Sequence, residues 1–210
     1  MEKDELLGKI IAIEWEMFSS VANVGGPASC QHNPETFRIM RVSQCDAWPE
    51  AMLESYCADL EAAQAAGRNL MTEKYARMMR WTFPEEYEAL AGSLPEVDDA
   101  TMALIDEIVD VNLAWHDDVV RRWPCLAAHG RPARRTADGG GVTSLETYLR
   151  SEMMTWSPGT VALYHRITLE KRDRGGNEAE ENLLNQMLQY GFRSLDEAER
   201  KLAARAAVRD

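Results

Sequence analysis

Two acidic side chains of this sequence fall inside runs of apolar residues that are spaced like the buried face of a helix. Glu14 is flanked by Ile10 and Met17, and Glu152 follows Leu149 by three positions. Apolar residues three and four positions apart share one helix face, so both carboxylates are predicted to be buried. A buried charge is costly unless a partner compensates it. The sequence therefore predicts that such groups meet in a polar pocket.

A second helix repeats the pattern with a basic and an amide side chain. Its buried face is expected to consist of Phe37, Met40 and Trp48. Arg41 and Gln44 lie among these positions, so they are also predicted to be buried. Arg41 is the obvious partner for Glu14, and we expect the two side chains to lie within salt-bridge distance. The alternative is a structural Glu–Arg pair that only fixes two helices together.

A long later helix carries Asn112 and His116 inside its apolar stripe. That stripe consists of Met102, Ile105, Val109, Val119 and Trp123. Carboxylate-bridged metal bundles place an acidic residue three positions before a His on one helix, and no such pair occurs here. No metal site is predicted, although one assembled from Glu14, His116 and Glu152 stays open as an alternative. The sequence leaves the cofactor unknown.

Acid/base and nucleophilic roles can be assigned to four residues. Tyr148 lies one turn before Glu152, so a phenol and a carboxylate point the same way and could share a proton. Glu14 and Glu152 on facing helices would suit acid/base catalysis of a small molecule, and we expect them to line one cavity. Cys30 precedes a helix whose dipole would stabilise a thiolate nucleophile. The alternative for Cys30 is a small buried apolar residue.

The arrangement of these residues requires an all-α fold. Helical periodicity continues along the chain, and alternation typical of strands is absent. We expect a single globular helical bundle of about eight or nine helices over residues 1–210. Asn33, Asp98 and Asn177 are predicted helix caps, and Thr143 with Glu146 is predicted to form a capping box. Glu73 and Arg77 are expected to form a surface pair.

One long segment lacks helical periodicity. Residues 125–142 contain Gly130, Gly139, Gly140 and Gly141, together with three arginines, Arg131, Arg134 and Arg135. We expect this loop to be more mobile than the helices around it, because its residues bury little apolar area. Its arginines could clamp a carboxylate or phosphate group when the loop closes. The alternative is a solvated, mobile loop without a ligand.

Composition limits the partners and the location. The chain has 35 acidic and 23 basic residues and a net charge of −12. This charge repels phosphate backbones and anionic membranes, so neither nucleic acid nor a membrane is an expected partner. No apolar run approaches the roughly 20 residues that span a bilayer. The four cysteines include no CxxC pair and suit reduced thiols. We therefore expect a soluble cytoplasmic protein, whose oligomeric state the sequence leaves open.

Several segments together resemble the family catalogued as domain of unknown function 4125. The residues that carry the resemblance are Glu14 to Phe18, Asn23, Gly25-Gly26, Ala28 to Gln31, Phe37 to Gln44, Trp48, Leu53 to Tyr56, Asn69-Leu70, Thr72 to Tyr75 and Thr143 to Glu152. The resemblance covers nearly the whole chain, implies a single soluble domain and supplies no reaction. Within these segments Asn23, Tyr75 and Arg150 join Arg41 and Gln44 as candidate ligand-binding residues. Asn112 completes that set.

Two hypotheses of different classes follow. The first is an enzyme or ligand-binding domain that acts on a small polar molecule, with Glu14 and Glu152 as acid/base candidates and Arg41 as charge partner or anion anchor. The second is a non-catalytic interaction or regulatory protein whose buried polar groups are purely structural. Convergence of these groups on a solvent-reachable cavity favours the first hypothesis, whereas pairing in separate, sealed contacts favours the second.

Overall fold

All regular elements are helical in residues 2–21, 31 and 33–206, which are the residues that the computed structural model describes. The helices are α1 Lys3–Ser19, α2 Pro34–Asp46, α3 Glu50–Ala65, α4 Leu70–Thr82, α5 Pro84–Ala91, α6 Asp99–Arg122, α7 Pro124–Ala127, α8 Leu145–Met153, α9 Pro158–Asp173, α10 Glu178–Gln189 and α11 Leu195–Ala206. These residues contain no strand, only an isolated bridge between Gly139 and Val142. The predicted all-α class is confirmed.

The predicted number of eight or nine helices is wrong, because the described residues form eleven. Proline explains the difference at two places. Phe83 ends α4 and also begins α5, and Trp123 ends α6 and also begins α7. The residue before a proline is forced out of the helical region, but proline itself suits the first position of a new helix. The same residue therefore stops one helix and starts the next.

Side-chain caps set most helix starts. Asn33, Asp98 and Asn177 each accept a hydrogen bond from the third backbone N–H of their helix, as predicted. The predicted capping box at Thr143 is wrong by one position, because Ser144 caps α8 by accepting from Thr147 N. A change of one residue is enough to move a cap, since both residue types are good caps and only the backbone conformation decides between them.

The carboxylate of the predicted capping box has another partner. Glu146 Oε2 accepts from the backbone N–H of Arg135 at 2.8 Å. This contact joins α8 to the segment before it. That segment is also less irregular than expected, because it includes α7 and a single 3₁₀ turn at Arg135–Ala137. Whether it is more mobile than the helices stays a prediction.

Most of the described helices pack around the centre of the molecule. Helix α1 packs against α2, α3 and α4, and α4 packs against α8. Helix α6 packs against both α8 and α9, and α10 covers α2. A large apolar core fills the space between them, and a smaller one lies where α6 ends against α7, α10 and α11. No described helix is long and apolar enough to cross a membrane.

Candidate functional site

Glu14 and Arg41 join the middle of α1 to the middle of α2. Arg41 Nε donates to Glu14 Oε2 at 2.7 Å, and Arg41 Nη2 donates to Oε1. Glu14 is 0% exposed and Arg41 is 4% exposed. The predicted salt bridge is thus confirmed. Because two parallel hydrogen bonds form it, the orientation of the guanidinium is fixed as well as its position.

The remaining edge of the Arg41 guanidinium reaches α8. Arg41 Nη1 donates to Glu152 Oε1 at 3.0 Å and to Gln44 Oε1 at 2.7 Å. The other oxygen of Glu152 accepts from Lys74 Nζ, on α4, at 3.1 Å. Four helices therefore contribute one charged side chain each to a connected group. We call Glu14, Arg41, Lys74 and Glu152 the charge network.

The two carboxylates of the charge network come together, but not across an open cavity. Arg41 lies between Glu14 and Glu152 and bonds to both. The Glu152 and Lys74 side chains are only 4% and 3% exposed. The prediction that Glu14 and Glu152 come together is confirmed, because both pair with Arg41. The prediction that they line one cavity is not met, because a guanidinium fills the space between them.

Mutual neutralisation determines the protonation of the charge network. Burial alone would raise the pKa of Glu152, but Lys74 and Arg41 outweigh it and hold that pKa below its ordinary value. Burial alone would lower the pKa of Arg41, but Glu14 and Glu152 raise it well above the ordinary value. The pKa of Lys74 is raised against the same effect of burial, mainly by Glu152. Glu152 is therefore a carboxylate, and both cations stay protonated.

Tyr56, on α3, closes the inner end of the charge network. Its hydroxyl donates to Glu14 Oε1 at 2.6 Å. Burial, and next the Glu14 carboxylate, raise the pKa of Tyr56 well above its ordinary value, so the phenol remains a donor. Its ring packs against Trp48 and Trp156, with ring centroids 5.6 and 5.4 Å away. This end of the network is sealed by aromatic rings.

Tyr148, on α8, covers the outer end. Lys74 Nζ lies 3.6 Å from the centroid of the Tyr148 ring, and Arg131 Cζ lies 4.8 Å from the same centroid. The ring is half-buried, whereas Arg131 is exposed. Tyr148 thus contacts the network through its ring and Lys74, not through the proton shared with Glu152 that the sequence suggested. The Tyr148 ring lies between the buried amine of Lys74 and the exposed Arg131.

The family of this chain can now be given. The family described as "Protein of unknown function (DUF4125)" matches residues 4–200. The chain belongs to this family. The match includes α1, α2, α4 and α8, so all four members of the charge network lie within it. No curated protein and no solved structure matches the chain. The resemblance found in the sequence is confirmed.

Three of the other predicted ligand-binding residues of this DUF4125 protein lie outside the charge network. Arg150 pairs with Asp106 on α6. The ring of Tyr75 packs on Phe18, with centroids 6.2 Å apart. Asn112 donates to the carbonyl of Ile108 and lies beside Tyr164. Asn23 and Cys30 fall outside the described residues.

A second buried centre, formed around the carboxylate of Glu178, lies next to Asn112. Glu178, at the start of α10, is 1% exposed. It accepts from Tyr164 Oη at 2.7 Å and from Trp48 Nε1 at 3.0 Å, and Lys171 Nζ lies 3.5 Å away. Burial raises the pKa of Glu178 against the opposing effect of Lys171. Little in the sequence indicates this centre, because an acidic residue at a helix start usually interacts with the helix dipole at the surface.

Two sequence predictions about pairing and orientation are wrong. Met40 is 48% exposed, although it was expected to define the buried face of α2. Glu73 pairs with Arg68 through two hydrogen bonds at 2.8 and 2.7 Å, and not with Arg77. Arg77 is buried and donates to the carbonyl of Pro95. Arg68 competes successfully for Glu73 because it can approach both carboxylate oxygens at once.

Two residues of this site were not predicted from the sequence: Lys74, a member of the charge network, and Tyr56, which donates to Glu14. Lys74 follows Met71 by three positions and precedes Met78 by four, which is the same signal that identified Glu14. Tyr56 lies on the buried side of α3 with Leu53 and Leu60, where a phenol also needs a hydrogen-bond partner. Both could have been found by applying one rule to every polar atom on an inward face.

The site suits charge recognition more than metal binding. Among the described residues, no group of three or more His, Cys, Asp or Glu side chains could hold a metal ion. Glu14 and Glu152 already accept from Arg41, and His116 lies beside Asp117 and Arg134. A preorganised set of ionised groups away from water can bind, orient or polarise a polar molecule without a metal.

Proposed function

We propose that this protein binds a small polar molecule at the charge network and either senses it or converts it. One observation carries the proposal: four charged side chains from four helices form a single buried, connected group. Charged side chains that only hold neighbouring helices together would be expected to form separate ion pairs. Convergence on one place is typical of a site.

The energetics of burial support a role beyond stability. Replacing a buried ion pair or triad by well-packed apolar residues is often neutral or stabilising by about 1–4 kcal/mol. The fold therefore has no general need for four charges in its core. Their presence is better explained by a ligand that interacts with them than by stabilisation of the fold.

Lys74 is the residue of the network best placed to meet a ligand. It is nearest to the outer end, where the Tyr148 ring lies between it and Arg131. Because the pKa of Lys74 is raised, its amine is a proton donor and not a nucleophile. Glu152 could act as a base only after a ligand had displaced Lys74 from its Oε2 atom. We therefore assign Lys74 and Glu152 as the acid/base pair, and Glu14 and Arg41 as the groups that position them.

A non-catalytic interaction or regulatory protein is the second candidate. The observation that favours it is the balance of two carboxylates and two cations that are almost completely buried. In this case the network would only specify how α1, α2, α4 and α8 pack. We place the protein in the cytoplasm under either proposal, supported by the free thiols Cys45, Cys57 and Cys125.

The experiment compares ligand-induced stabilisation in three proteins. The wild type, Glu152→Gln and Glu178→Gln are heated with a panel of small phosphorylated, carboxylated and amine-containing compounds. A ligand at 100 times its dissociation constant stabilises the folded state by about 2.7 kcal/mol. We expect a panel compound to raise the melting temperature of the wild type and of Glu178→Gln, but not of Glu152→Gln.

Glu178→Gln is the matched control because it also removes a carboxylate that is almost fully buried, in the other centre. A compound that stabilises all three proteins equally would show that the charge network is not its site. The absence of any stabilising compound, together with a large fall in melting temperature for Glu152→Gln alone, would favour the structural candidate.

A further inference from the structure

An uncompensated group of arginines lies beside the outer end of the charge network. Arg131 contacts the Tyr148 ring, and Arg135 and Arg80 contact the Trp81 ring, with Cζ-to-centroid distances of 4.8, 4.7 and 5.2 Å. Trp81 is 41% exposed. We call Arg80, Trp81, Arg131, Arg135 and Tyr148 the arginine surface.

The arginine surface is continuous with the charge network. Trp81 and Lys74 are both on α4, seven residues apart, which places them on the same helix face about 10 Å from each other. Lys74 contacts the Tyr148 ring at one end of this face, and Arg135 contacts Trp81 at the other. A ligand of moderate size could therefore touch the exposed arginines and approach Lys74.

The segment that carries Arg131 and Arg135 is held over α8 by specific contacts. The backbone N–H of Arg135 donates to Glu146, and Asp138 accepts from Ser144 N at 2.5 Å. Arg131 Nη1 donates to the carbonyl of Thr143 at 3.1 Å. Hydrogen bonds to the start of α8 thus hold the segment that carries the two arginines, and the salt bridge between Arg134 and Asp117 joins it to α6.

Their charges have no anionic partner in the described part of the chain. No described carboxylate lies within 4.0 Å of the guanidinium nitrogens of Arg80, Arg131 or Arg135. Three acids of the neighbouring segments are engaged elsewhere: Glu146 with a backbone N–H, Asp138 with Ser144 and Thr147, and Asp117 with Arg134. Three guanidiniums without a carboxylate partner therefore lie at one place in a protein of net charge −12.

We propose that the arginine surface binds a phosphate or carboxylate group of the small ligand. Guanidinium groups present pairs of N–H donors that match the oxygens of both anions. A small ligand fits better than a polymer, because the surface spans about two helical turns and the acidic remainder of the protein repels an extended phosphate backbone. The proposal rests on the proposed function in one respect only, namely that the rest of the ligand binds at the charge network.

The test measures binding of three probe anions by titration calorimetry at constant ionic strength. The probes are inorganic phosphate, pyrophosphate and citrate, so that phosphate and carboxylate sources are compared directly. We expect an Arg131→Gln/Arg135→Gln variant to bind the preferred probe at least tenfold more weakly than the wild type. Circular dichroism should show that the double variant is folded, since both side chains are exposed.

Two single variants, each of which removes one positive charge, serve as controls. Arg134→Gln removes a guanidinium of the same segment that is already neutralised by Asp117. Arg166→Gln removes an exposed arginine on α9, away from the arginine surface. Both are expected to bind the probe within twofold of the wild type.

Three results would overturn the proposal. The first is probe binding that is absent from the wild type or unchanged in the double variant. The second is an equal loss in the two controls, which would indicate unspecific attraction to positive charge. The third is a single-stranded oligonucleotide or a polyglutamate peptide that binds more than tenfold tighter than every small probe. Each is distinct from failure of the proposed function, which concerns Glu152→Gln and the compound panel and leaves probe binding to the arginine surface unaffected.

Discussion

At the scale of single residues, Lys74 shows how a buried side chain of this protein keeps its charge. A lysine that is 3% exposed keeps its charge because Glu152 lies 3.1 Å away and Tyr148 presents its ring to the same amine. Burial and charge pairing act in opposite directions on this group, and the pairing wins. The same competition decides the protonation of Glu152 and Arg41, so the protonation states of these three groups depend on one another.

Removing Lys74 alone should be strongly destabilising. Lys74→Met leaves two carboxylates against one guanidinium in the core, and breaking a buried pair in this way typically costs about 3–5 kcal/mol. Lys201→Met is the matched control, because its salt bridge with Glu197 is a surface pair, worth roughly 0–1 kcal/mol. Urea unfolding of both variants checks the difference. Equal, small losses would show that Lys74 carries little of the network's charge balance.

The two buried carboxylates Glu152 and Glu178 should give stability opposite dependences on pH. The pKa of Glu152 is lowered in the folded protein, so its contribution is present above the ordinary value of 4.5 and is lost as the pH falls below it. The pKa of Glu178 is raised, so its contribution is present below 4.5 and is lost as the pH rises through the raised value.

Chemical denaturation at several pH values tests this contrast with two variants. The stability advantage of the wild type over Glu152→Gln should shrink as the pH falls below 4.5. Its advantage over Glu178→Gln should instead shrink as the pH rises from 4.5 towards neutrality. The same sign of pH dependence for both variants would contradict the assigned protonation states.

At the scale of helices, apolar spacing predicted the inward side of α1, but that of α2 only in part. In α1, Glu14 is buried with Ile10 and Met17, as expected. In α2, Arg41 is buried and Phe37 packs against the core as predicted, but Met40 is exposed, because the buried residues of this helix are Arg41, Ser43 and Cys45. That side packs against the charge network and against α10, where Gln189 donates to Ser43 Oγ at 2.8 Å. A helix whose neighbours are polar has no apolar stripe from which its orientation could be inferred.

The start of α8 gives a direct test of cap assignment. Ser144→Ala should lower the free energy of unfolding by about 1 kcal/mol, because the Thr147 N–H loses its acceptor. Thr143→Ala should change it less, since Thr143 precedes the cap and its described contact is a backbone carbonyl. Urea denaturation measures both. A larger loss for Thr143→Ala would restore the cap that the sequence predicted.

The segment of residues 125–142 gives a prediction about dynamics. Its amides should exchange with solvent faster than those of α8, because the segment buries little apolar area. The amides of Cys125, Leu126 and Arg135 should be exceptions, since each donates to a carboxylate. Hydrogen exchange followed by mass spectrometry or NMR resolves these positions. Protection of the whole segment at the level of α8 would contradict the expected mobility.

At the scale of the whole molecule, part of the site could be derived from the sequence. Glu14 and Glu152 are about 140 positions apart, yet their convergence followed from two inward-facing stripes and one expected core. What the sequence could not give was the order of contacts, in which Arg41 lies between the carboxylates and Lys74 lies beyond Glu152. Such an order depends on how four helices cross, and spacing along any one of them holds no information about that.

The same limit explains why Asn112 was assigned to the wrong centre. An inward-facing polar residue was assumed to join the single pocket, but the core holds two buried carboxylate centres. Four aromatic rings in mutual contact, Trp48, Tyr56, Trp156 and Tyr164, lie between them. Periodicity shows that a residue faces the core, but the partners it meets there depend on tertiary packing.

The most direct measurement of the central claim replaces the charge network by apolar residues of similar size. The variant combines Glu14→Leu, Arg41→Met, Lys74→Met, Glu152→Leu and Tyr56→Phe, so that no member keeps an uncompensated polar group. Its unfolding free energy and its stabilisation by the panel compound that binds the wild type are measured together. If the network is a ligand site, the variant should be at least as stable as the wild type and lose all stabilisation by that compound. A fall in stability of several kcal/mol, with the compound's effect on the folded protein preserved, would contradict it.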